Sequence, residues 1–360
     1  MEPEALAKPK RDATFDIAKG IGILSVIVLH WSSNAARLYS TEGAKLWWGL
    51  KLLNLFVNYA VPLFLVVSGV LWTQSLARKW DFGGTIPKRF VSVAYPLLIW
   101  SIIGFLYTSR TSGGMDYLLD FNRRLPALVY GKASYHLYFL VIMCQFALVG
   151  PLLAFALKKL PLWGAMVLAV GLQALIFWLQ KAYFRMPSPG SMVLWHSLTL
   201  LPAIWLGLDL KTRLEGLRKI RVPVLVLAVL ATAGFMYLSA GVLQKEAVDG
   251  LLLNWTAKVH GLLVAMAILG LCSGSSRWFE WLGENSLQLY LVHPTILGLL
   301  ASPRFVAFFA KLPLAPIWPF LITLGGSIAV ALIARLLRLD GVLFGRWTPR
   351  KKVEPAAQAV

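Results

Sequence analysis

Residues 16–31 read DIAKGIGILSVIVLHW, an apolar run with an acid and a lysine at its head and a histidine at its foot. If the run is an α-helix turning about 100° per residue, the eleven steps from Lys19 to His30 make close to three whole turns, so both side chains leave one stripe. Asp16 projects about 40° away from His30 around the axis. At 1.5 Å per residue, Lys19 and His30 stand roughly 16 Å apart along the helix. A cation therefore sits at one mouth and an imidazole lies deep. A signal anchor would show the same charged flank and hydrophobic run. No small-residue cleavage pattern closes the run, and many more apolar runs come after it, so it reads as a first transmembrane helix over about residues 15–33.

The rest of the chain repeats this pattern. Of its 360 residues 58% are hydrophobic and 14% charged, too apolar for a soluble globular protein of this size. Apolar runs of about 18–22 residues, each long enough to cross some 30 Å of hydrocarbon as a helix, recur at about 54–73, 90–107, 137–157, 162–180, 192–209, 222–240, 251–271, 285–301 and 317–338. A membrane β-barrel would instead show alternating segments of about ten residues. The expected fold is all-α, a polytopic membrane bundle of about ten transmembrane helices. Residues 1–12 form a polar tail before it, 13–340 the membrane domain and 341–360 a basic, disordered tail. The longest loop, 108–134, is expected to hold a short interfacial helix around 115–122.

The formal charge of +19 does not point to nucleic acid, because Lys and Arg lie in short loops between apolar runs. With the N-terminus cytoplasmic, one side collects about 21 of them and the other about 12, while Lys19 and Lys258 remain inside spans. Both termini are then cytoplasmic. Cys144 and Cys272, the only cysteines, both fall in apolar runs and imply neither a disulfide framework nor a metal site.

Ionisable groups at membrane depth are expensive, and they face the bundle interior or a wet cavity. All five histidines, His30, His136, His196, His260 and His293, fall at or inside expected spans. A neutral imidazole can also serve simply as a bond between helices. Two stretches keep His30 company. YHLYFL, 135–140, enters the fourth span, and LGENSLQLYLVHP, 282–294, opens the ninth with Asn285 and Ser286 and carries His293. Locally, Asn285 or Ser286 could be an N-cap and Tyr135 and Tyr138 interfacial anchors.

Taken in order, DIAKGIGILSVIVLHW, VPLFLVVSGVLW (61–72), SYHLYFL (134–140) and LGENSLQLYLVHP resemble the acyltransferase 3 family of integral membrane proteins. The resemblance runs from about 11 to 340. It implies a multi-pass protein of the bacterial inner membrane that uses acyl-CoA, most often acetyl-CoA, as a donor substrate with no permanently bound cofactor. The acceptor would be a hydroxyl on a carbohydrate, glycolipid or other molecule. Lys19 stands where many members have arginine, which turns a bidentate phosphate contact into a point charge. Tyr138 stands where members often have tryptophan.

Acyl transfer from a thioester to an alcohol needs a base, a cationic grip on the donor phosphates and a donor for the oxyanion. His30 has the chemistry for the base, with Asp16 orienting Lys19. Lys19, Arg78 and Arg89 are expected to hold donor phosphate. The resemblance draws His136, Tyr138, Asn285, Ser286 and His293 into the substrate pocket. A transporter or flippase using membrane histidines for protons or solute is the alternative.

Overall fold

The structure, a computed structural model, describes residues 13–78 and 82–345, which are helical almost throughout with no strand among them. In hydrocarbon each peptide N–H and C=O needs an internal partner, and a helix supplies one from its own backbone. Eight helical elements are long and apolar enough to span a membrane. They are α1 (Thr14–Tyr39), the pair α2 (Lys45–Phe56) and α3 (Ala60–Arg78), α4 (Phe82–Thr108), α7 (Tyr138–Leu157), α8 (Leu162–Leu179), α11 (Arg221–Leu243), α12 (Gly250–Leu271) and α16 (Ile317–Leu336). Two bent pairs bring the number to ten if each counts as one span: α9 (Ser197–Leu208) with α10 (Leu210–Lys219) at 115°, and α14 (Ser286–Leu300) with α15 (Pro303–Phe309) at 79°. The ten runs read from the sequence correspond to these.

Three segments differ from expectation. Residues 45–53, left between the first two apolar runs in the sequence, belong to α2, KLWWGLKLLNLF, which a single 3₁₀ turn, Val57–Tyr59, joins to α3 in one element of 34 residues. The interfacial helix expected around 115–122 is two short helices, α5 (Gly114–Leu119) and α6 (Phe121–Val129). Asp120 separates them, accepting from the Arg123 backbone N–H as the N-cap of α6 and pairing with the Arg123 side chain at 3.0 Å. The disordered tail does not begin at 341. Asp340–Phe344 form α17, and Phe344 is buried against Trp100 with ring centroids 6.0 Å apart. The expected tails over 1–12 and 346–360 lie outside the described residues.

The bundle is built around α1, which packs against α2, α3, α14 and α13 (Arg277–Glu284). Ile23, Val26 and Ile27 on its inner face are wholly buried. By contrast α11 turns Val222, Val226, Val229 and Leu230 outward. In water that face would be a large apolar patch, and in a bilayer it meets lipid. Where α13 crosses the first turns of α1 the backbones touch. A Cβ on Gly283 would lie 2.7 Å from the Asp16 carbonyl carbon, and one on Gly20 2.9 Å from that of Phe279. Glycine at both positions sets the depth at which Asp16 and Lys19 are held.

Candidate active site

His30 lies on α1 between the buried Ile27 and the buried Ser32, and its turn is fixed from two sides. Asn54 of α2 donates its amide to the Leu29 carbonyl at 2.5 Å and to Ser32 Oγ at 3.2 Å. On the other side the Trp31 indole donates to the Pro316 carbonyl at 2.6 Å. Around this turn three of the five histidines meet. The His30 ring stacks on His293 with centroids 5.5 Å apart and 23° between planes, and it touches Tyr135 at 4.6 Å. His136, from the segment ahead of α7, stands edge-on to His293 at 5.8 Å.

Local pattern explains the convergence. Ser286, Tyr290 and His293 succeed one another at i, i+4 and i+7, so they share one face of α14. The Tyr290 ring lies 5.2 Å from His136 and 6.0 Å from His293, and its hydroxyl donates to the His136 carbonyl. His293 Nδ1 lies 3.0 Å from the Leu289 carbonyl. A carbonyl only accepts, so Nδ1 carries the proton and Nε2 carries the lone pair. His136 Nδ1 is 3.0 Å from Ser134 Oγ. The Nε2 atoms of both His136 and His293 are buried with no hydrogen-bond partner among the described residues. Leaving such an atom unpaired costs about 1–3 kcal/mol, so each of these two neighbouring Nε2 atoms is open to a hydrogen-bonding group brought in from outside.

Cavities approach this cluster from opposite ends. One, of about 300 Å³, is lined by Lys19, Arg89, Ser286, Phe139, Met143 and Tyr290, with no acidic side chain among the described residues of its wall. Another, of about 260 Å³, is lined by Tyr135, His136, Ser134, Lys132, Tyr107 and Thr295. A single stripe of α4 runs along both: Arg89, Val93 and Pro96 on the first, then Trp100, Gly104 and Tyr107 on the second. Those eighteen steps cover about 27 Å, close to the thickness of the hydrocarbon core. Tyr290 stands on the wall of the first cavity and His136 on that of the second, and the hydrogen bond between them joins the two.

Lys19 Nζ is 2.6 Å from Asp16 Oδ1, the i, i+3 pair read from the sequence, with Asp16 the more deeply buried partner. Asp16 itself lines a third cavity, of about 550 Å³, with Arg78, Lys211, Arg218, Glu215 and Gln74. The three cations expected to act together are therefore divided: Lys19 and Arg89 share one cavity and Arg78 belongs to another. Ser286 lines the Lys19 cavity, whereas Asn285 turns its amide back to the Trp281 carbonyl at 2.8 Å. Tyr138 packs against the main apolar core. Tyr135, about half exposed, lies against His30. Tyr290 escapes a reading that looks only for ionisable groups in spans; its spacing from Ser286 and His293 is the signal that finds it.

The other histidines sit apart from the cluster. His260 is packed between Phe235, stacked at 5.0 Å, and Tyr59, at 6.3 Å, with Nδ1 3.0 Å from Thr232 Oγ1. His196 Nε2 donates to the Gly190 carbonyl at 2.9 Å, which leaves Nδ1 to accept from Lys258 at 3.2 Å.

A family model described as an acyltransferase domain matches residues 12–336. The chain is similar to the nodulation protein NolL of Sinorhizobium fredii (strain NBRC 101917 / NGR234), 26% identical over 172 residues that cover 42% of this chain and 45% of that protein. It is also similar to the nodulation protein NolL of Mesorhizobium japonicum (strain LMG 29417 / CECT 9101 / MAFF 303099), 28% identical over 110 residues that cover 31% of this chain and 28% of that one. The chain thus spans less than half the length of these relatives. No solved structure matches it.

Proposed function

The chain belongs to the acyltransferase 3 family, and on that premise we propose that it moves an acyl group, acetyl by default, from cytoplasmic acyl-CoA to a hydroxyl of a carbohydrate, glycolipid or other acceptor in the bacterial inner membrane. The observation that carries this reading is the imidazole cluster of His30, His136 and His293 between a basic cavity and a second cavity toward the other end of the bundle. Lys19 and Arg89 hold donor phosphate at the first, with Asp16 keeping Lys19 in place. The pantetheine arm tracks the α4 stripe toward the cluster, a distance matched by the roughly 16 Å from Lys19 to His30. The acceptor arrives through the second cavity, along Tyr107 and Lys132.

His30 takes the acceptor's hydroxyl proton as the oxygen attacks the thioester carbon. The tetrahedral intermediate collapses, the C–S bond breaks and the thiolate leaving group recovers that proton from His30. The stacked, fixed partner ring of His293 favours a second assignment, in which the bare Nε2 of His293 is the base and His30 orients the acceptor. The test is labelled acetyl-CoA added to washed membranes holding the wild type, His30→Ala or His293→Phe. Acyl transfer gives label in glycan or lipid together with free CoA. Loss in His30→Ala alone supports the first assignment, and loss in His293→Phe alone supports the second. Solute flux without thioester loss would replace both with transport.

A further inference from the structure

From the hydrogen bonds around His136 we infer that this residue presents an N–H, not a lone pair, to the reacting centre, and that its partner there is the thioester carbonyl oxygen. The inference rests on the acyl-transfer reading. Ser134 Oγ meets His136 Nδ1 at 3.0 Å. A hydroxyl has one proton to donate, and His136 Nδ1 is the acceptor facing it. If Ser134 donates, Nδ1 holds the lone pair and the ring's proton lies on Nε2. In the opposite arrangement the Ser134 proton would find no other acceptor among the described residues and would have to turn to whatever fills the second cavity. The two buried imidazoles beside His30 are then complementary: His293 is proton-bearing at Nδ1 and bare at Nε2, and His136 the reverse.

Both Nε2 atoms are buried and unpartnered among the described residues, and the two rings lie 5.8 Å apart. Two neighbouring rings thus carry one unpartnered donor and one unpartnered acceptor beside His30. As the acceptor oxygen adds to the thioester carbon, the C=O electron pair moves onto oxygen, and the His136 Nε2–H stabilises the oxyanion that forms. On collapse the carbonyl is restored and the thiolate departs, so His136 gains and loses no proton. Its backbone is fixed by the Tyr290 hydroxyl on its own carbonyl, and both Ser134 and His136 lie on the wall of the second cavity. Ser134 acts through His136 and is a positioning residue.

The test pairs a readout free of activity with a kinetic one, on the full chain in lipid nanodiscs. Nitrogen-15 spectra of the histidine rings are expected to show His136 protonated at Nε2 and His293 at Nδ1. Ser134→Ala should disturb the first and spare the second, and Ser134→Thr should restore it. With acetyl-CoA as the donor probe, His136→Phe should lower kcat about 10²–10³-fold with KM little changed, the cost of one oxyanion donor. His136→Gln, whose amide N–H reaches a similar point, should recover at least tenfold of that. His136 protonated at Nδ1 in an active wild type would overturn the proposal alone, and so would His136→Phe keeping kcat within threefold. A wild type that consumes no acetyl-CoA while its spectra show the Nε2 proton would overturn the acyl-transfer reading and the carbonyl role with it.

Discussion

Replacing Gly283 with alanine inserts one methyl group between α13 and α1 at a point where the two backbones already touch. The new Cβ would lie 2.7 Å from the Asp16 carbonyl carbon and 3.0 Å from its Cα. Carbon atoms in contact prefer about 3.5–4.0 Å, so the two helices must part by about 1 Å. Both contacts are backbone, so no side-chain rotation can relieve them. Overpacking of this kind costs about 1–3 kcal/mol. The functional loss should be larger than the loss of stability. Asp16 holds Lys19 at 2.6 Å, and the chain continues from Gly283 within three residues to Ser286, on the wall of the cavity that Lys19 lines. A displacement of about 1 Å at a reacting geometry can cost about 10²-fold. The assay is acyl-CoA turnover beside thermal unfolding in detergent, with Gly171→Ala as control. Gly171 lies in α8, where an added Cβ meets nothing within 4 Å. There alanine should be neutral or stabilising by up to about 1 kcal/mol. Gly283→Ala behaving like Gly171→Ala would refute the claim that this crossing sets the position of the Asp16–Lys19 pair.

The separate cavities and the bonds to the His30 turn fix two further outcomes. Arg89→Met should raise KM for acyl-CoA at least tenfold, whereas Arg78→Met, on the wall of a different cavity, should leave it within about threefold; steady-state kinetics with varied acyl-CoA distinguish the two, and the reverse order would place the donor phosphates beside Asp16 and Arg218. Asn54→Leu removes both amide bonds to the His30 turn, at about 1 kcal/mol each; kcat should fall at least tenfold with donor KM unchanged, measured on protein shown to accumulate normally.

Most of the architecture was legible because hydrocarbon allows few solutions. A run such as 317–338 can only be a spanning helix, and α16 occupies it. Hydropathy was least informative where amphipathic and spanning character mix. In α2 the lysines at 45 and 51 masked a helix whose Trp47 and Leu50 are buried against α1. In α17 one buried aromatic, Phe344, ties down a segment whose composition reads as a tail. The meeting of His30 with His136 and His293 agrees with the three sequence motifs that carry them, but the division of Arg78 from Lys19 and Arg89 does not follow from sequence separation. Spacing along one helix places side chains on a stripe, whereas which wall of which cavity that stripe meets depends on helix crossings. The contacts of Gly20 and Gly283 are of that kind, since a glycine in a sequence does not name its partner.

If an acyl group leaves a thioester and ends on a hydroxyl by way of the His30 cluster, the acylated product depends on that imidazole. Mass spectrometry of envelope glycans and lipids measures this most directly, comparing cells that carry the wild-type chain, His30→Ala or no chain. One species should bear an acyl mass with the wild type and lack it in the other two, while immunoblots show His30→Ala inserted at normal abundance. The same acyl mass at wild-type level with His30→Ala would contradict it.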